Sequence, residues 1–464
     1  MMKRFLAFIL MSLFGYNVTA GQCYYVSSSV GSDNNDGLSS KTPKKSLAAL
    51  PKSNVTIRLK SGDVFWGGLS GYEGCTIESY GYGQRPVICG FKVLVNPDAW
   101  ESVGECLWRL DLSDADAFAG NVIDVEPSGY NDIGFIYDAM RDKLYGRNMD
   151  SLDALDSEMD FFTSSRYSAA EVAEHPFRYV VVRRKKNPSE LGNLCFPVFQ
   201  SGIERFTDCT VRNIAIVGFS RMGMALMSGC NVENCQIDLI GGAIQIGYPK
   251  RARFGNGIEL WDGYCDNTVS GCLISRTYDC ATTIQANGDV KSNPRNNHFK
   301  GNRIYKCRQA FEHFLNPADG SLRQYVDCEF SDNICYKMGE NDFDCPEMRD
   351  CNILSYEDRE KAIVIRDNVF FGANHLDGTG IAEGMSDNVV YLYDDQYLYT
   401  RHWHPDRKTI VCNEDGAVER FRAIAPDNSK IVVLKRGSLR AALIEARIRR
   451  QINYHPVNLH LELL

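Results

Sequence analysis

Apolar and polar residues recur in one pattern through the middle of the chain. In each copy the third and eighth residues are apolar, and the fifth is Asn, Gly or Asp. Successive copies begin 21, 37, 30, 31 and 35 residues apart, which suits one solenoid coil per copy with loops of variable length. The six copies align without gaps: CTVRNIAI (209–216), CNVENCQI (230–237), NTVSGCLI (267–274), NHFKGNRI (297–304), CEFSDNIC (328–335) and IVIRDNVF (363–370).

The fifth position of each copy predicts a sharp corner between two short strands. Asn, Gly and Asp are the residues that best tolerate a left-handed backbone conformation. The two apolar positions are five residues apart, so a straight strand would turn them to opposite faces of a sheet. A corner lets both point inward, which predicts a parallel β-solenoid with this interior stack: Val211, Val232, Val269, Phe299, Phe330 and Ile365.

The third strand of each coil, which follows the eighth position, carries candidate catalytic acids. Aligning GMALM (223–227), GIELW (257–261) and AFEHF (310–314) places Glu259 and Glu312 in one register. If Ile258 points inward, alternation along the strand turns both glutamates outward and His313 inward. The two glutamates are two coils apart, or ~9.6 Å between their backbones, and Asp279 lies one coil from each.

Paired carboxylates indicate acid–base chemistry on a glycosidic bond. A spacing of ~6.5 to 9.5 Å between carboxyl groups is typical of inverting glycosidases, and ~5 to 5.5 Å of retaining ones. Glu259 with Glu312 fits the first spacing, whereas Asp279 with either glutamate fits the second, so the stereochemistry stays open. We expect Glu312 to be the general acid and Glu259 to activate water, with Asp279 as the alternative to either.

Aromatic and polar residues around these acids are candidates for binding the substrate. Trp403 lies in RHWHPDR (401–407), whose two histidines with one nearby acid do not match the spacing of a zinc site. Arg253, with Lys250, lies in the loop before Glu259 and is suited to an acidic sugar. The expected substrate-binding residues are Trp261, Asp262, Tyr278, Gln285, His313, Arg253 and Trp403.

The repeats also divide the chain into parts. Residues 21–94 hold N-terminal coils, residues 95–200 interrupt the pattern as a β-rich insertion, and residues 201–395 hold the central coils with the acids. Residues 396–464 lose the pattern and end in a helical sequence (436–452), in which Leu439, Ala442, Leu443 and Ala446 share a face. We expect this region to cap an end or edge of the solenoid.

Residues 1–20 have the features of an export signal. Lys3 and Arg4 precede an apolar run, and small residues up to Ala20 offer a cleavage site. The run is shorter than the ~20 apolar residues that a membrane-spanning helix needs, so we predict a periplasmic or extracellular protein without a membrane span.

Composition narrows the function further. The 464 residues include 51 Lys and Arg against 59 Asp and Glu, a net charge of -8, which provides no basic surface for nucleic acid. Seventeen cysteines are numerous, and stacked coils would bring Cys209 near Cys230 and Cys235 near Cys272. Buried thiols or disulfides both fit that spacing.

Three early segments, together with the repeats, carry a resemblance to a known superfamily. They are YYVSSSVGSDNNDGLSSKTPKKSL (24–47), VTIRLKSGDVF (55–65) and TIESYGYGQRPVICG (76–90). They resemble the opening coils of secreted right-handed parallel β-helix proteins of the pectate-lyase-like superfamily. The resemblance implies an all-β, right-handed parallel β-helix, but this superfamily contains hydrolases, lyases, epimerases and phage tailspikes, so it leaves the chemistry open.

The stretch GNGIELWDG, with YDCATTIQ and AFEHF after it, is similar to a pattern in secreted bacterial β-helix proteins that degrade polysaccharides. That resemblance implies that Glu259, Asp279 and Glu312 are the catalytic acids. We therefore expect an exported glycoside hydrolase that needs no cofactor and acts on a polysaccharide or oligosaccharide.

Two alternatives remain. A polysaccharide lyase would use Ca²⁺ held by acids such as Asp262, Asp279 and Glu312, together with a Lys or Arg base. A non-catalytic glycan-binding solenoid would need the aromatic residues alone.

Overall fold

The computed structural model shows that the chain is a parallel β-helix. Each coil contributes strands to three long sheets, here called sheets 1, 2 and 3, with ten strands each. An apolar interior runs through the coils. The described residues are 21–119, 132–163, 179–198, 200–244, 252–288, 292–318, 324–343, 350–355, 363–378, 384–401, 408–425 and 428–459.

The strands of each sheet follow one another along the solenoid. Sheet 1 consists of Cys23–Val26, Thr56–Lys60, Thr76–Tyr80, Thr210–Arg212, Asn231–Glu233, Thr268–Ser270, His298–Lys300, Glu329–Ser331, Val364–Arg366 and Gly384–Ser386. Sheet 2 consists of Val64–Trp66, Val87–Cys89, Ala215–Phe219, Gln236–Ile240, Leu273–Thr277, Arg303–Tyr305, Ile334–Tyr336, Val369–Phe371, Val389–Tyr393 and Lys430–Leu434. Sheet 3 consists of Leu69–Ser70, Ser201–Phe206, Met222–Leu226, Ile258–Trp261, Cys280–Gly288, Gln309–Pro317, Cys351–Ser355, Asn374–Gly378, Tyr397–Thr400 and Thr409–Val411.

The predicted interior stack is confirmed residue by residue. Val211 pairs with Val232, and the pairing continues in register through Val269, Phe299, Phe330 and Ile365. All six side chains are at most 1% exposed. The predicted corners also have positive φ angles, from 50° to 65°: Asn213, Asn234, Gly271, Gly301, Asp332 and Asp367. The Asn, Gly or Asp at each corner therefore fixes which side chains enter the core.

A ladder of buried asparagines follows these corners. Asn333 Oδ1 accepts from the backbone N–H of Asn302 at 2.8 Å, and Asn333 Nδ2 donates to the carbonyl of Phe299 at 3.0 Å. Asn368 and Asn388 continue the same bonding on the next coils. Each amide thus satisfies backbone groups that the tight corner removes from sheet pairing.

The insertion forms two antiparallel sheets beside the solenoid. The first contains Phe91–Leu94, Phe118–Ala119, Ile136–Asp138, Lys143–Tyr145 and Leu194–Pro197, and the second contains Glu101–Gly104, Leu107–Asp111, Phe161–Thr163 and Tyr179–Arg183. Short 3₁₀ turns lie at Pro97–Ala99, Leu152–Ala154 and Pro188–Leu191.

The solenoid continues past residue 395, where the repeat pattern predicts its end. Tyr397–Thr400 still pairs in parallel with Asn374–Gly378, and Lys430–Leu434 pairs with Val389–Tyr393. The helix Ala417–Ile424, here α1, inserts Phe421 into the interior against His375. This helix closes the C-terminal end of the core.

The last helix, Leu439–Ile452 (α2), lies against the outer face of sheet 2 rather than at an end. It buries Ala441, Ile448 and Ile452, whereas Leu439 and Leu443 are 76% and 63% exposed. The helix itself was expected, but its buried face is a different one from the Leu439 face. Among the described residues no helix is both long and apolar enough to span a membrane.

The described cysteines are all free thiols, and most are buried. The backbone N–H of Cys235 donates to Cys272 Sγ at 3.4 Å, so these residues stack on successive coils without a disulfide. The predicted export signal, residues 1–20, lies outside the described residues, and export stays a prediction.

The asparagine ladder generates a stability prediction. Asn333→Ala leaves the buried N–H of Asn302 and the carbonyl of Phe299 without their side-chain partners. We expect the free energy of unfolding to fall by roughly 2 to 4 kcal/mol, measured by urea denaturation. Lys300→Ala, on an exposed position of a neighbouring strand, should change it by less than ~0.5 kcal/mol. Equal effects of the two substitutions would show that the ladder adds nothing.

Candidate active site

Sheet 3 brings the predicted acids onto one outward surface. Glu259 pairs with Thr283, and Thr283 pairs with Glu312. The expected shared register of the two glutamates is therefore present, with one strand between them. Ile258 and Leu260 beside Glu259 are at most 1% exposed and point into the core.

The acids line a cleft of about 760 Å³. Glu259, Asp279 and Glu312 all contribute to its wall, although they are only 9%, 7% and 5% exposed. Other lining residues are polar or aromatic: Ser201, Glu204, Arg205, Arg221, Asn256, Trp261, Tyr264, Gln285, Asn287 and Phe314, with Met222, Ala225, Leu226, Met227 and Phe254 completing the surface.

Glu259 is held in an environment that favours its neutral form. Its Oε2 accepts a hydrogen bond from Asn256 Nδ2 at 2.8 Å. Burial raises the pKa of Glu259, and the hydrogen bond from Asn256 and the charge of Arg221 oppose this only in part. The negative charge of Asp279 raises the pKa further. A carboxyl group of this kind retains a proton at higher pH than an exposed glutamate does.

Asn256 is itself fixed by the neighbouring coil. Its Oδ1 accepts from the backbone N–H of Cys280 at 3.2 Å, and the backbone N–H of Asp279 donates to the carbonyl of Gly255 at 3.1 Å. These bonds place the start of the Asp279 strand beside Glu259.

Glu312 has a different set of partners. Its Oε2 accepts from Gln285 Nε2 at 2.5 Å and lies 3.0 Å from Cys280 Sγ. Hydrogen bonds donated to a carboxylate favour its ionised form. Each glutamate thus accepts a hydrogen bond from a side-chain amide, Glu259 from Asn256 and Glu312 from Gln285.

Aromatic rings border the cleft on the side where the strands end. Trp261 and Phe314 occupy the same register on either side of Gln285. Their ring centroids are 6.2 Å apart at an interplanar angle of 84°. Tyr264 lines the cleft nearby. This group offers flat apolar surface next to the acids.

Four expected binding residues do not line this cleft. His313 points into the core, is 2% exposed, and its ring packs against Phe311 and Tyr325. Tyr278 is 3% exposed beneath the guanidinium of Arg253. These two side chains are therefore buried outside the cleft lining, and their expected binding role stays a prediction.

Arg253 has a structural contact instead. Its Nε donates to the carbonyl of Gly242 at 2.6 Å and its Nη2 to that of Gly134 at 3.1 Å, which ties this loop to the insertion. Asp262 follows the strand at φ 60° and is also outside the cleft lining. Trp403 and Lys250 lie outside the described residues.

Several lining residues escape the sequence reasoning. Glu204 pairs with Ala225, which pairs with Glu259, so it extends the outward register by one further acid. Aligning SGIERF (201–206) with GMALM would have found it. Arg221 and Asn256 precede their strands, where the repeat pattern gives no signal.

The lyase alternative places a calcium ion among clustered acids. Within the described ranges, no three or more His, Cys, Asp or Glu side chains converge as metal ligands. Asp262, Asp279 and Glu312 therefore do not form the expected set.

Comparisons with known proteins add structural similarity at low scores. No protein-family model and no curated protein matches the sequence. Similar solved structures include a GH136 lacto-N-biosidase from Eubacterium ramulus, with 14% identity, a TM-score of 0.36, and coverage of 89% of this chain and 68% of that one. The complex of XylC with xylose has 9% identity, a TM-score of 0.42, and coverage of 88% and 82%.

A further similar structure is a glycoside hydrolase with 10% identity, a TM-score of 0.40, and coverage of 92% of this chain and 98% of that one. TM-scores this low carry no argument. The β-helix fold is therefore established by its strand pairing, and the function must be argued from the cleft.

The buried position of Glu259 predicts a pH-dependent effect on stability. The pKa of Glu259 in the folded protein lies above its ordinary value of 4.5. As the pH rises from this ordinary value through the raised one, the folded protein therefore loses stability relative to the unfolded chain. Glu259→Gln removes the charge. We expect the melting temperature of the variant to exceed that of the wild type clearly at pH 8 and much less at pH 4.5. Glu105→Gln, at an exposed position, should show no such trend. A Glu259→Gln difference that is constant with pH would contradict the raised pKa.

Proposed function

We propose that the protein is a carbohydrate-active enzyme that hydrolyses glycosidic bonds of a polysaccharide or oligosaccharide. The observation that carries the proposal is the convergence of Glu259, Asp279 and Glu312 in one cleft with Trp261 and Phe314 at its border. Carboxyl groups supply the acid and base for glycoside hydrolysis, and aromatic rings supply flat surface for sugar rings.

The raised pKa of Glu259 supports a division of roles between the glutamates. Glu259 is the general acid, because burial and the nearby Asp279 raise its pKa and keep a proton available for the leaving oxygen. Glu312 is the partner carboxylate, because it lies in the same register on the same surface of sheet 3 and lines the same cleft. This assignment reverses the roles expected from the sequence. Asp279 supports the proton on Glu259 and is the alternative partner.

The spacing of the two glutamates suits this division. Each pairs with Thr283 between them, so their Cα atoms are two strands, or ~9.6 Å, apart. Both side chains point outward from the same sheet, which supports a sugar and a water molecule between the carboxyl groups. In this arrangement Glu259 protonates the glycosidic oxygen while Glu312 takes a proton from the attacking water.

A polysaccharide lyase remains the second candidate because two arginines line the cleft. Arg221 acts electrostatically on Glu259, and Arg205 lies at the other end of the neighbouring strand. An arginine near the substrate is a possible partner for a uronate carboxylate. Product analysis of a panel of neutral and acidic polysaccharides separates the candidates. New reducing ends without unsaturated-uronate absorbance mean hydrolysis, that absorbance means elimination, and neither with retained binding means a glycan-binding protein.

The first functional prediction concerns the two glutamates. Glu259→Gln and Glu312→Gln keep the side-chain shape but remove the acid or the charge. Each should lower kcat by at least ~10² to 10⁴-fold on the substrate found in the panel. Glu105→Gln is the control and should retain wild-type turnover. Near-normal kcat in both cleft variants would exclude this surface as the active site.

The second functional prediction concerns the aromatic border. Trp261→Ala removes a ring but leaves the acids in place, so KM should rise about tenfold with a smaller change in kcat. Trp261→Phe keeps a ring at the same position and should restore most of the affinity. The measurement is steady-state kinetics, and an unchanged KM in Trp261→Ala would remove the tryptophan from the binding site.

A further inference from the structure

The carboxylate of Glu312 contacts two side chains of the preceding coil. Its Oε2 lies 2.5 Å from Gln285 Nε2 and 3.0 Å from Cys280 Sγ. Both residues belong to the strand Cys280–Gly288, which pairs directly with the strand of Glu312. Cys280 is 0% exposed, so bulk water does not compete for its thiol.

The thiol of Cys280 carries its proton in this environment. Burial raises the pKa of Cys280 well above its ordinary value, and the charges of Glu312 and Asp279 raise it further. A neutral thiol has one S–H group to donate. An ionised carboxylate is a stronger acceptor for it than a neutral amide oxygen is.

Gln309 is the competing neighbour of this thiol. Its Oε1 lies 2.6 Å from Cys280 Sγ, while its Nε2 is buried with no partner among the described residues. The single S–H group of Cys280 therefore has two acceptors within reach, Gln309 Oε1 and Glu312 Oε2. A carboxylate competes better for that proton than the neutral amide oxygen does.

We propose that Cys280 is a positioning residue, whose S–H group acts with the amide of Gln285 to fix the Glu312 carboxylate in its orientation within the cleft. The inference rests on the proposed function, in which Glu312 is the ionised partner of Glu259. It assigns to Cys280 a role in the reaction without contact with the substrate. Among the buried thiols of the described residues, we propose this role for Cys280 alone.

Other ionisable groups surround Glu312. Asp279 lies on the preceding coil with Cys280, Cys351 on the following one, and Glu259 two coils away. The charge of Arg308, the residue directly before Gln309, also acts on Cys351. Asp279 and Glu312 both act electrostatically on the thiol of Cys280, and Cys280 and Gln285 are the side chains of that strand that contact the Glu312 carboxylate.

The kinetic test compares Cys280→Ala, Cys280→Ser and the wild type. In Cys280→Ala, loss of the S–H donor should lower kcat about tenfold. The acidic limb of the kcat/KM profile should move up by about one pH unit, because the ionised form of Glu312 loses one hydrogen-bond donor. KM should change little. Cys280→Ser retains an O–H donor and should recover most of kcat and of the pH profile.

Cys335→Ala is the matched control. Cys335 is a fully buried thiol in the interior of the solenoid, outside the cleft lining. Its loss should lower stability without shifting the pH profile. A Cys280→Ala profile that coincides with the wild type, or a Cys280→Ser variant no better than Cys280→Ala, would overturn the proposal.

A second measurement does not depend on activity. The infrared S–H stretching band of Cys280, obtained as wild type minus Cys280→Ser, should lie at low frequency, as for a thiol bonded to a carboxylate. Glu312→Gln should move that band to higher frequency, and an unmoved band would overturn the positioning role. If no sugar is turned over, the proposed function fails, while the band still decides whether Cys280 donates to Glu312.

Discussion

Parallel pairing of successive coils in strict register is the constraint on which the rest of the structure depends. A shift of one residue in any strand of sheet 3 would exchange its inward and outward faces. Glu259 would then enter the core and Ile258 would face the cleft. The left-handed corner residues and the stacked interior side chains hold the register, so a feature remote from the cleft decides where the acids lie.

This scaffold also explains how the cleft tolerates nearly buried acids. A carboxyl group taken out of water is costly unless it is neutral or receives hydrogen bonds. Glu259 and Glu312 each accept a side-chain hydrogen bond, and the pKa of Glu259 is raised toward its neutral form, with the strand of Thr283 between the two glutamates. Cys280 and Gln285 belong to one strand of sheet 3, and Asn256 lies two residues before the strand of Glu259 and is itself bonded to the backbone of Cys280.

The sequence predicts the parts of this arrangement that follow from periodicity. The interior stack, the corners and the shared register of Glu259 and Glu312 all repeat at fixed positions in each coil. The buried face of α2 was less predictable. A short amphipathic pattern with Ala on several sides does not determine which side of the helix packs against a sheet. The stacked pair of Tyr278 and Arg253, which lies outside the cleft lining, was unpredictable for a related reason, since Arg253 lies in a part of the sequence without the repeat.

The division of labour between the two glutamates lies beyond periodicity altogether. Sequence alignment makes them equivalent, because both sit at the same place in the same kind of strand. Their difference arises from what adjacent coils present. Asn256 and the charge of Asp279 surround Glu259, whereas an amide and a thiol approach Glu312. In a solenoid each coil supplies the environment of the next, so carboxyl groups in one register have different partners and different pKa values when the residues of the neighbouring coils differ.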